Sequence, residues 1–227
     1  VHPEFSYLPR KFKIAVTGAE RDRAAIQTHD IGLHLKKNGK GELGFAVYVG
    51  GGQGRTPMVA KKIRDFLPEE HLLSYCTAIL RVYNLYGRRD NKYKARIKIL
   101  VHETGLEELK RDIEAEYEAL KVENQELTVP VEEVERIARY FAPPAFEARA
   151  PVSTVLERAR LLDPDLAAFV ERNLTAHKQP GYAALTISLK GIGLPPGDAT
   201  AEQMEVVADL AQRYSFDEAR VTHEQNL

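Results

Sequence analysis

The spacing of apolar and polar positions along the first half of the chain predicts a mixture of strands and helices. Alternating or continuous apolar runs predict strands over 11–16, 29–35 and 44–49. A further strand is predicted over Ile97–Val101, which is apolar except at Lys98. These short runs have the length of strands that pack one face on a core, so we expect a sheet.

Three stretches of the same half have the spacing or the start signals of helices. They cover 58–66, where Pro57 precedes the run as a first-turn proline would, 68–86 and 105–120. The composition of Asn38-Gly39-Lys40-Gly41 predicts a hairpin turn that makes the second and third strands antiparallel. Strands and helices together predict an α+β domain with a mixed sheet.

The second half alternates helices with few strands. We predict helices over 131–141 and 153–174, the latter interrupted near Asp163-Pro164. A strand over 182–189, a helix over 204–214 and a strand beginning at 219–222 then follow. Thr200 and Gln203 have the spacing of a capping box before that helix. Strand, helix and strand in this order predict half of a ferredoxin-like unit.

These elements predict three parts: an α+β domain over 1–120, an acidic and then proline-rich helical linker or arm over 121–178, and a truncated ferredoxin-like half-domain over 179–227. The chain starts without methionine, drops quickly into a strand, and stops in polar residues with no turn. We therefore expect a fragment of a longer protein.

Composition restricts the classes of function. The 227 residues are 44% hydrophobic and 29% charged, with 32 Lys and Arg against 33 Asp and Glu. A net charge near zero gives no general attraction to nucleic acid or membranes, so an anion site must be local. No run has transmembrane length and no signal-peptide pattern is present. The single cysteine, Cys76, excludes an internal disulfide framework and a metal cluster held by this chain alone, and we expect the cytoplasm.

The most concentrated chemistry lies in Leu8-Pro9-Arg10-Lys11-Phe12-Lys13. If 11–16 is a strand, alternation places Lys11 and Lys13 on one face, where their ammonium groups repel each other unless an anion or water lies between them. A solvated basic strand edge is the other interpretation of the same residues.

Two other stretches leave alternatives open. The glycine-rich run Gly50–Pro57 permits close approach of backbone N–H groups to a ligand, or it forms a flexible loop. It fits neither the Walker nor the dinucleotide-binding pattern. The run Arg88–Arg96 contains five basic residues and one tyrosine, which is typical of a solvated loop or of a nucleic-acid patch.

Four of these stretches occur in the order found in sulfite and nitrite reductase haemoproteins, which the chain resembles over nearly its whole length. The matching motifs are Leu8–Lys13, the strand into Gly50-Gly51-Gly52, the block Arg81–Arg96, and Gly197-Asp198 with Arg220-Val221-Thr222 and Gln225-Asn226-Leu227. The resemblance implies sirohaem, an iron tetrapyrrole rich in carboxylates, bridged through a cysteine thiolate to a 4Fe–4S cluster. It also implies the six-electron reduction of sulfite to sulfide, or of nitrite to ammonia.

The resemblance assigns roles to single positions. Lys11 and Lys13 match the pair that faces the substrate, holds its oxyanion and supplies protons. The residues that match cofactor-contacting stretches are Arg10, Gly50, Gly51, Gly52, Lys94, Arg96, Gln225 and Asn226. Because nitrite-type members often have Asn in place of Lys13, the second cation favours an assimilatory sulfite reductase, with nitrite reductase as the alternative.

The chain also departs from the family pattern. Cys76 matches no cluster-ligating cysteine, and those cysteines are expected beyond the C-terminal end, so we expect no metal ligands here and no activity of this chain alone. The implied partners are sulfite or nitrite and an electron donor, either ferredoxin or a flavoprotein reductase, without nucleic acid or membrane. A non-enzymatic anion- or nucleic-acid-binding module built on Arg88–Arg96 is the competing class.

Overall fold

The computed structural model describes residues 3–123 and 127–227. The chain forms two compact units, Val1–Arg136 and Ile137–Leu227. The predicted three-part division, with boundaries at 120 and 178, stays a prediction.

The first unit contains a four-stranded mixed sheet. Its strands, which lie in the sheet in chain order, are β1 (Ile14–Thr17), β2 (Ile31–Lys37), β3 (Leu43–Val49) and β4 (Lys61–Pro68). β1 pairs with β2 in parallel, and the other two pairs are antiparallel. The predicted hairpin between β2 and β3 is confirmed, and the side chain of Asn38 accepts the N–H groups of Lys40 and Glu42 in its turn.

Three helices pack against this sheet and share its core. They are α1 (Leu72–Tyr86), α2 (Ile97–Thr104) and α3 (Leu106–Val122). The shared core contains strand residues such as Ile31, Val47 and Leu67 and helix residues such as Tyr75 and Ile113. The predictions of α1 and α3 are confirmed. Both rested on apolar residues at helical spacing.

Two predicted elements of this unit are wrong. The stretch 58–66 was expected to be a helix, but most of it lies in β4, where Ile63 and Leu67 are buried four residues apart. That spacing fits a helix face as well as a strand face, so periodicity alone did not distinguish them. The stretch 97–101 was expected to be a strand but begins α2. Nearly all of its residues are buried, and a buried helix and a buried strand give the same apolar run in the sequence.

The sheet also begins later than predicted. β1 starts at Ile14, not at Lys11, and β2 starts at Ile31, not at His29. Lys11 and Lys13 therefore precede the strand, and the prediction that strand alternation orients them does not apply.

The boundary between the two units falls within α4 (Val131–Ala138). The second unit then contains α5 (Thr154–Leu162), α6 (Pro164–Asn173), the hairpin of β5 (Leu174–Ala176) and β6 (Ala183–Leu185), and α7 (Ala201–Tyr214). The predicted interruption is confirmed, because the Asp163 side chain caps α6 and Pro164 occupies its first turn. The capping box of Thr200 and Gln203 is also confirmed.

The strands predicted in this unit are mostly wrong. Of 182–189 only Ala183–Leu185 is a strand, and 219–222 is not one. Ile187 and Leu227 nevertheless exchange two backbone hydrogen bonds, of 2.7 and 3.1 Å, so the end of the chain runs beside the segment after β6. The α+β fold class is confirmed.

Candidate functional site

The segment Leu8–Lys13 lies against the first unit without belonging to a helix or strand. Leu8 and Phe12 pack on the hydrophobic core. The hydroxyl of the buried Tyr83 lies 3.0 Å from the carbonyl oxygen of Arg10 and 2.8 Å from that of Ala95. Burial raises the pKa of Tyr83 to about 12, which keeps this hydroxyl protonated and able to donate at neutral pH.

Three further hydrogen bonds hold the end of the segment and the residue that precedes it. The N–H of Lys13 donates to Oδ2 of Asp30 at 3.0 Å, and its carbonyl oxygen accepts from the N–H of Ile31. Nη2 of Arg89 donates to the carbonyl oxygen of Tyr7 at 3.1 Å. The backbone on both sides of Lys11 is thus fixed by contacts that are distant in sequence.

The cationic side chains of the segment remain available. Lys11, Lys13 and Arg10 are all exposed. None of the three side chains has a hydrogen bond or an ion pair with any described residue. Fixed backbone combined with unpaired, solvated cations is an arrangement that can bind an anion at little ordering cost to the main chain.

Arg96 lies immediately before α2 and forms a two-point ion pair with Asp30. Its Nε donates to Oδ1 at 3.0 Å and its Nη2 donates to Oδ2 at 2.6 Å. The side chain of Asp30 is fully buried, whereas 24% of the Arg96 side chain is exposed. Nη1 of Arg96 has no protein partner among the described residues, so this nitrogen remains available to a ligand carboxylate.

Lys98, the second residue of α2, is buried with 6% exposure and reaches the glycine-rich loop. Its Nζ donates to the carbonyl oxygens of Gln53 at 2.8 Å and Thr56 at 2.5 Å. Burial, followed by the charge of Arg96, lowers the pKa of Lys98. Lys98 and Arg96 share one nearby carboxylate, that of Asp30, so this corner of the unit has a local excess of positive charge.

Gly50 and Gly51, the first two of the three glycines after β3, are required by contacts within the protein. Gly50 has a φ of 88°, and its N–H donates to the carbonyl oxygen of Asp30 at 2.9 Å. A Cβ on Gly51 would lie 2.3 Å from the carbonyl oxygen of Gln27 and 2.5 Å from that of His29. Close packing of the chain on itself therefore accounts for these glycines, and they are not independent evidence for a ligand.

The basic block Arg88–Arg96 is largely satisfied internally. Arg88 pairs with Asp90 and Glu103, and Arg89 donates to the side chain of Asn84 and to the backbone. Lys94 is exposed, as the cofactor prediction requires, and so is Lys92.

Gln225 and Asn226 belong to the second unit. Asn226 is buried with 7% exposure, and its Oδ1 accepts from Nζ of Lys190 at 2.7 Å. Gln225 is exposed and adopts a φ of 61°, which is uncommon for a residue with a Cβ. The structure thus gathers Arg10, Lys13 and Arg96 around Tyr83 and Asp30 in the first unit, and places the predicted amides in the other.

No group of three or more His, Cys, Asp or Glu side chains in the described ranges could hold a metal ion. The thiol of Cys76 lies in α1, and burial raises its pKa to about 11. A 4Fe–4S cluster is held by four cysteine thiolates, and this chain contains one cysteine. Across the described parts of the chain, no helix is both long enough and apolar enough to span a membrane.

Three residues of this site were missed by sequence reasoning: Asp30, Tyr83 and Lys98. Lys98 carried a visible signal, being the one charge within an apolar run, although that run was taken for a strand. Asp30 and Tyr83 carried none, because a single carboxylate before a strand or a single tyrosine in a helix is common.

A family model described as the nitrite and sulphite reductase 4Fe-4S domain matches residues 1–121, and one described as the nitrite/sulfite reductase ferredoxin-like half domain matches 177–227. The fold and the motifs agree with these matches, and the chain belongs to the nitrite and sulfite reductase family.

Curated relatives agree with this assignment. The chain is 41% identical over 124 residues to a protein of Synechococcus elongatus named sulfite reductase [ferredoxin], covering 51% of this chain and 20% of that protein. It is 38% identical over 117 residues to an assimilatory ferredoxin-dependent nitrite reductase of Haloferax mediterranei, covering 49% and 20%. The matched part spans about a fifth of these relatives. The NirA protein of Mycobacterium tuberculosis has a similar fold, with a TM-score of 0.62 and 23% identity, covering 99% of this chain and 33% of that one.

Proposed function

We propose that this chain is part of an assimilatory sulfite reductase haemoprotein and provides its substrate-binding lysines. The whole protein would reduce sulfite to sulfide with six electrons at sirohaem coupled to a 4Fe–4S cluster. Family membership and the sulfite reductases among the relatives support this proposal. The observation that carries it is the state of Lys11 and Lys13, which are exposed and unpaired on a backbone held by Tyr83 and Asp30.

The residues present fit one of the two implied groups. Sirohaem carries carboxylates, and the exposed Arg10 and Lys94 together with Nη1 of Arg96 are cations able to bind them. When bound, sirohaem would supply the iron that holds the substrate and delivers electrons to it. The described residues do not fit the cluster, because they contain one thiol and a 4Fe–4S cluster needs four thiolate ligands. We therefore expect the chain alone to be inactive.

In this proposal Lys11 and Lys13 hold the oxygen atoms of sulfite through charge-assisted hydrogen bonds. Two ammonium groups neutralise a dianion, and they stabilise the negative charge that develops on each departing oxygen. Each oxygen leaves as water and needs two protons, which an ammonium group can donate and then recover from solvent. The exposed position of both lysines allows that recovery.

Nitrite is the alternative substrate, favoured by the nitrite reductase among the relatives. Nitrite carries one negative charge, so it gains less from a second ammonium group than sulfite does. Lys13→Asn should therefore lower kcat/KM for sulfite much more than for nitrite. Equal losses for both anions would contradict the preference for sulfite.

The binding of nucleic acid gains no support. Arg88 and Arg89, two of the five cations of Arg88–Arg96, are engaged within the protein. For the whole protein we propose a ferredoxin or a flavoprotein reductase as electron donor, and the cytoplasm as compartment.

The test uses the sirohaem- and cluster-loaded protein that contains this chain. Lys11→Met and Lys13→Met keep the aliphatic part of each side chain and remove its charge. We expect each change to lower sulfite turnover with a reduced dye by about a hundredfold or more. Lys92→Met removes an equally exposed lysine of the basic block and should leave turnover unchanged. Full turnover in the Lys11 and Lys13 variants would refute the proposal.

A further inference from the structure

Asp30 is the residue in which the separate parts of the proposed site meet. It is fully buried, and it directly precedes β2. Its side chain binds Arg96 through both carboxylate oxygens and also accepts the N–H of Lys13. Its carbonyl oxygen accepts the N–H of Gly50. One residue thus touches the lysine segment, the start of α2 and the glycine-rich loop, which are far apart in sequence.

The chemistry of these contacts requires a carboxylate. Oδ1 accepts Nε of Arg96, and Oδ2 accepts both Nη2 of Arg96 and the N–H of Lys13. Three donors converge on two oxygens, and a buried negative charge is stabilised by the guanidinium beside it. An amide has one acceptor oxygen, so Asn at this position would turn an NH₂ group toward at least one N–H donor, whichever way it is flipped.

The consequence concerns where the cations lie. Because Asp30 uses Nε and Nη2 of Arg96, it fixes the plane of the guanidinium and leaves Nη1 for a ligand. Because it binds the N–H of Lys13 and not the ammonium group, it fixes the lysine backbone without neutralising the side chain. A single carboxylate in this position holds the backbone of Lys13 and the guanidinium of Arg96 in fixed positions relative to each other.

We propose that Asp30 is the positioning residue of this site, setting Lys13, Arg96 and Gly50 in one arrangement without touching the substrate. This inference rests on the proposed function for its catalytic meaning. The arrangement itself is a property of the protein without ligand, and it can be tested separately.

The first test measures positions in the absence of any cofactor, using amide-resolved hydrogen exchange and NMR of the full chain. Asp30→Ala should raise the exchange rate of the Lys13 amide by about tenfold or more, since a buried hydrogen bond and its acceptor are lost. Asp30→Asn should retain much of this protection, because the amide oxygen can still accept that N–H, but should expose the Nε–H of Arg96 to exchange. Asp22→Asn is the matched control, because the Asp22 carboxylate accepts two backbone N–H groups in the same connection without contacting the site. Unchanged exchange at both Lys13 and Arg96 in the Asp30 variants would overturn the proposal.

The second test adds sirohaem and follows its visible absorption during titration. Asp30→Asn should weaken sirohaem binding by about tenfold at a temperature where circular dichroism shows the variant to be folded, since a donor facing Arg96 displaces its guanidinium. Asp22→Asn should bind as the unchanged chain does. A folded Asp30→Asn variant with unchanged affinity would refute a positioning role toward the cofactor. If the unchanged chain binds no sirohaem, the proposed function loses its cofactor contacts, and the exchange rates still decide whether Asp30 sets the arrangement.

Discussion

Two basic segments of the first unit meet at Tyr83, and they use their charges in opposite ways. In Leu8–Lys13 the lysines and the arginine are exposed and unpaired, and the contacts are made by the backbone. In Arg88–Arg96 the first two residues, Arg88 and Arg89, bind acidic or polar side chains of the same unit. The density of positive charge in the sequence is similar, but the arginines that begin the second segment are engaged within the unit, whereas every cation of the first segment is available to a ligand.

The difference arises from where the carboxylates lie. Arg88 pairs with Asp90, two residues away, and with Glu103 in α2. The carboxylate that contacts Lys13, that of Asp30, binds the backbone N–H of this residue and the guanidinium of Arg96. A basic motif therefore indicates an anion site only when nearby acids are already occupied by other groups.

The largest expected loss of stability comes from a change that forces Leu8–Lys13 away from the start of Arg88–Arg96. Gly87→Ala would place a Cβ 2.5 Å from the carbonyl oxygen of Tyr83 and 2.7 Å from Cγ of Pro9. We expect a loss of about 3 kcal/mol in the free energy of unfolding, measured with urea, because the backbone must move. Gly39→Ala, whose Cβ would meet nothing within 4 Å, is the control and should have little effect. A neutral Gly87→Ala would show that the junction is looser than described.

A smaller loss is expected when the hydroxyl that joins the segments is removed. Tyr83→Phe leaves the carbonyl oxygens of Arg10 and Ala95 without this donor while it keeps the ring in the core. The free energy of unfolding should fall by about 2 kcal/mol. Amide exchange near Arg10 should rise more than exchange near Arg88, and the reverse order would contradict the role given to Tyr83.

Alkaline pH should weaken the same contact. Because the pKa of Tyr83 is raised from 10.0 to about 12 in the folded protein, the unfolded chain loses this proton first. The contribution of Tyr83 to the free energy of unfolding is therefore fully present below pH 10 and is lost as the pH rises toward 12. The loss should reach about 1 kcal/mol by about pH 11. Burial also raises the pKa of Tyr75, so the contribution of Tyr83 is the difference between the unchanged chain and Tyr83→Phe. Identical pH profiles for both would disprove it.

The smallest effect is expected in the second segment. Arg88→Gln removes ion pairs whose acidic partners are 65% and 46% exposed. Exposed pairs contribute little, so the melting temperature should change by less than about 2 °C. A large change would mean that the basic block supports the fold as strongly as the Tyr83 junction does.

The sequence predicted those elements that have local signals. The capping box at Thr200, the proline start of α6 and the apolar stripe of α1 are each determined by neighbouring residues. β4 was predicted as a helix and α2 as a strand. The apolar residues of both are buried by the rest of the unit, and such runs have no period that distinguishes helix from strand.

The same contrast applies to the candidate site. Lys11, Lys13 and Arg96 were identified from a resemblance that is local in sequence, and their roles stay predictions. The residues that hold them, Asp30 and Tyr83, act across 17 and 73 positions of the chain. Such contacts are created by the fold, and the sequence near either partner does not predict them.

The anchoring of Leu8–Lys13 also has a consequence for the order of folding. The segment has no helix or hairpin of its own, and β1 pairs in parallel with β2 across a connection without an α-helix. Its ordering must wait until α1 presents Tyr83 and β2 presents Asp30, because the entropy of closing these loops is recovered only by those contacts. Phe12→Ala, which removes a core contact of this segment, should then have a φ-value near zero, because the contact forms after the rate-limiting step of folding.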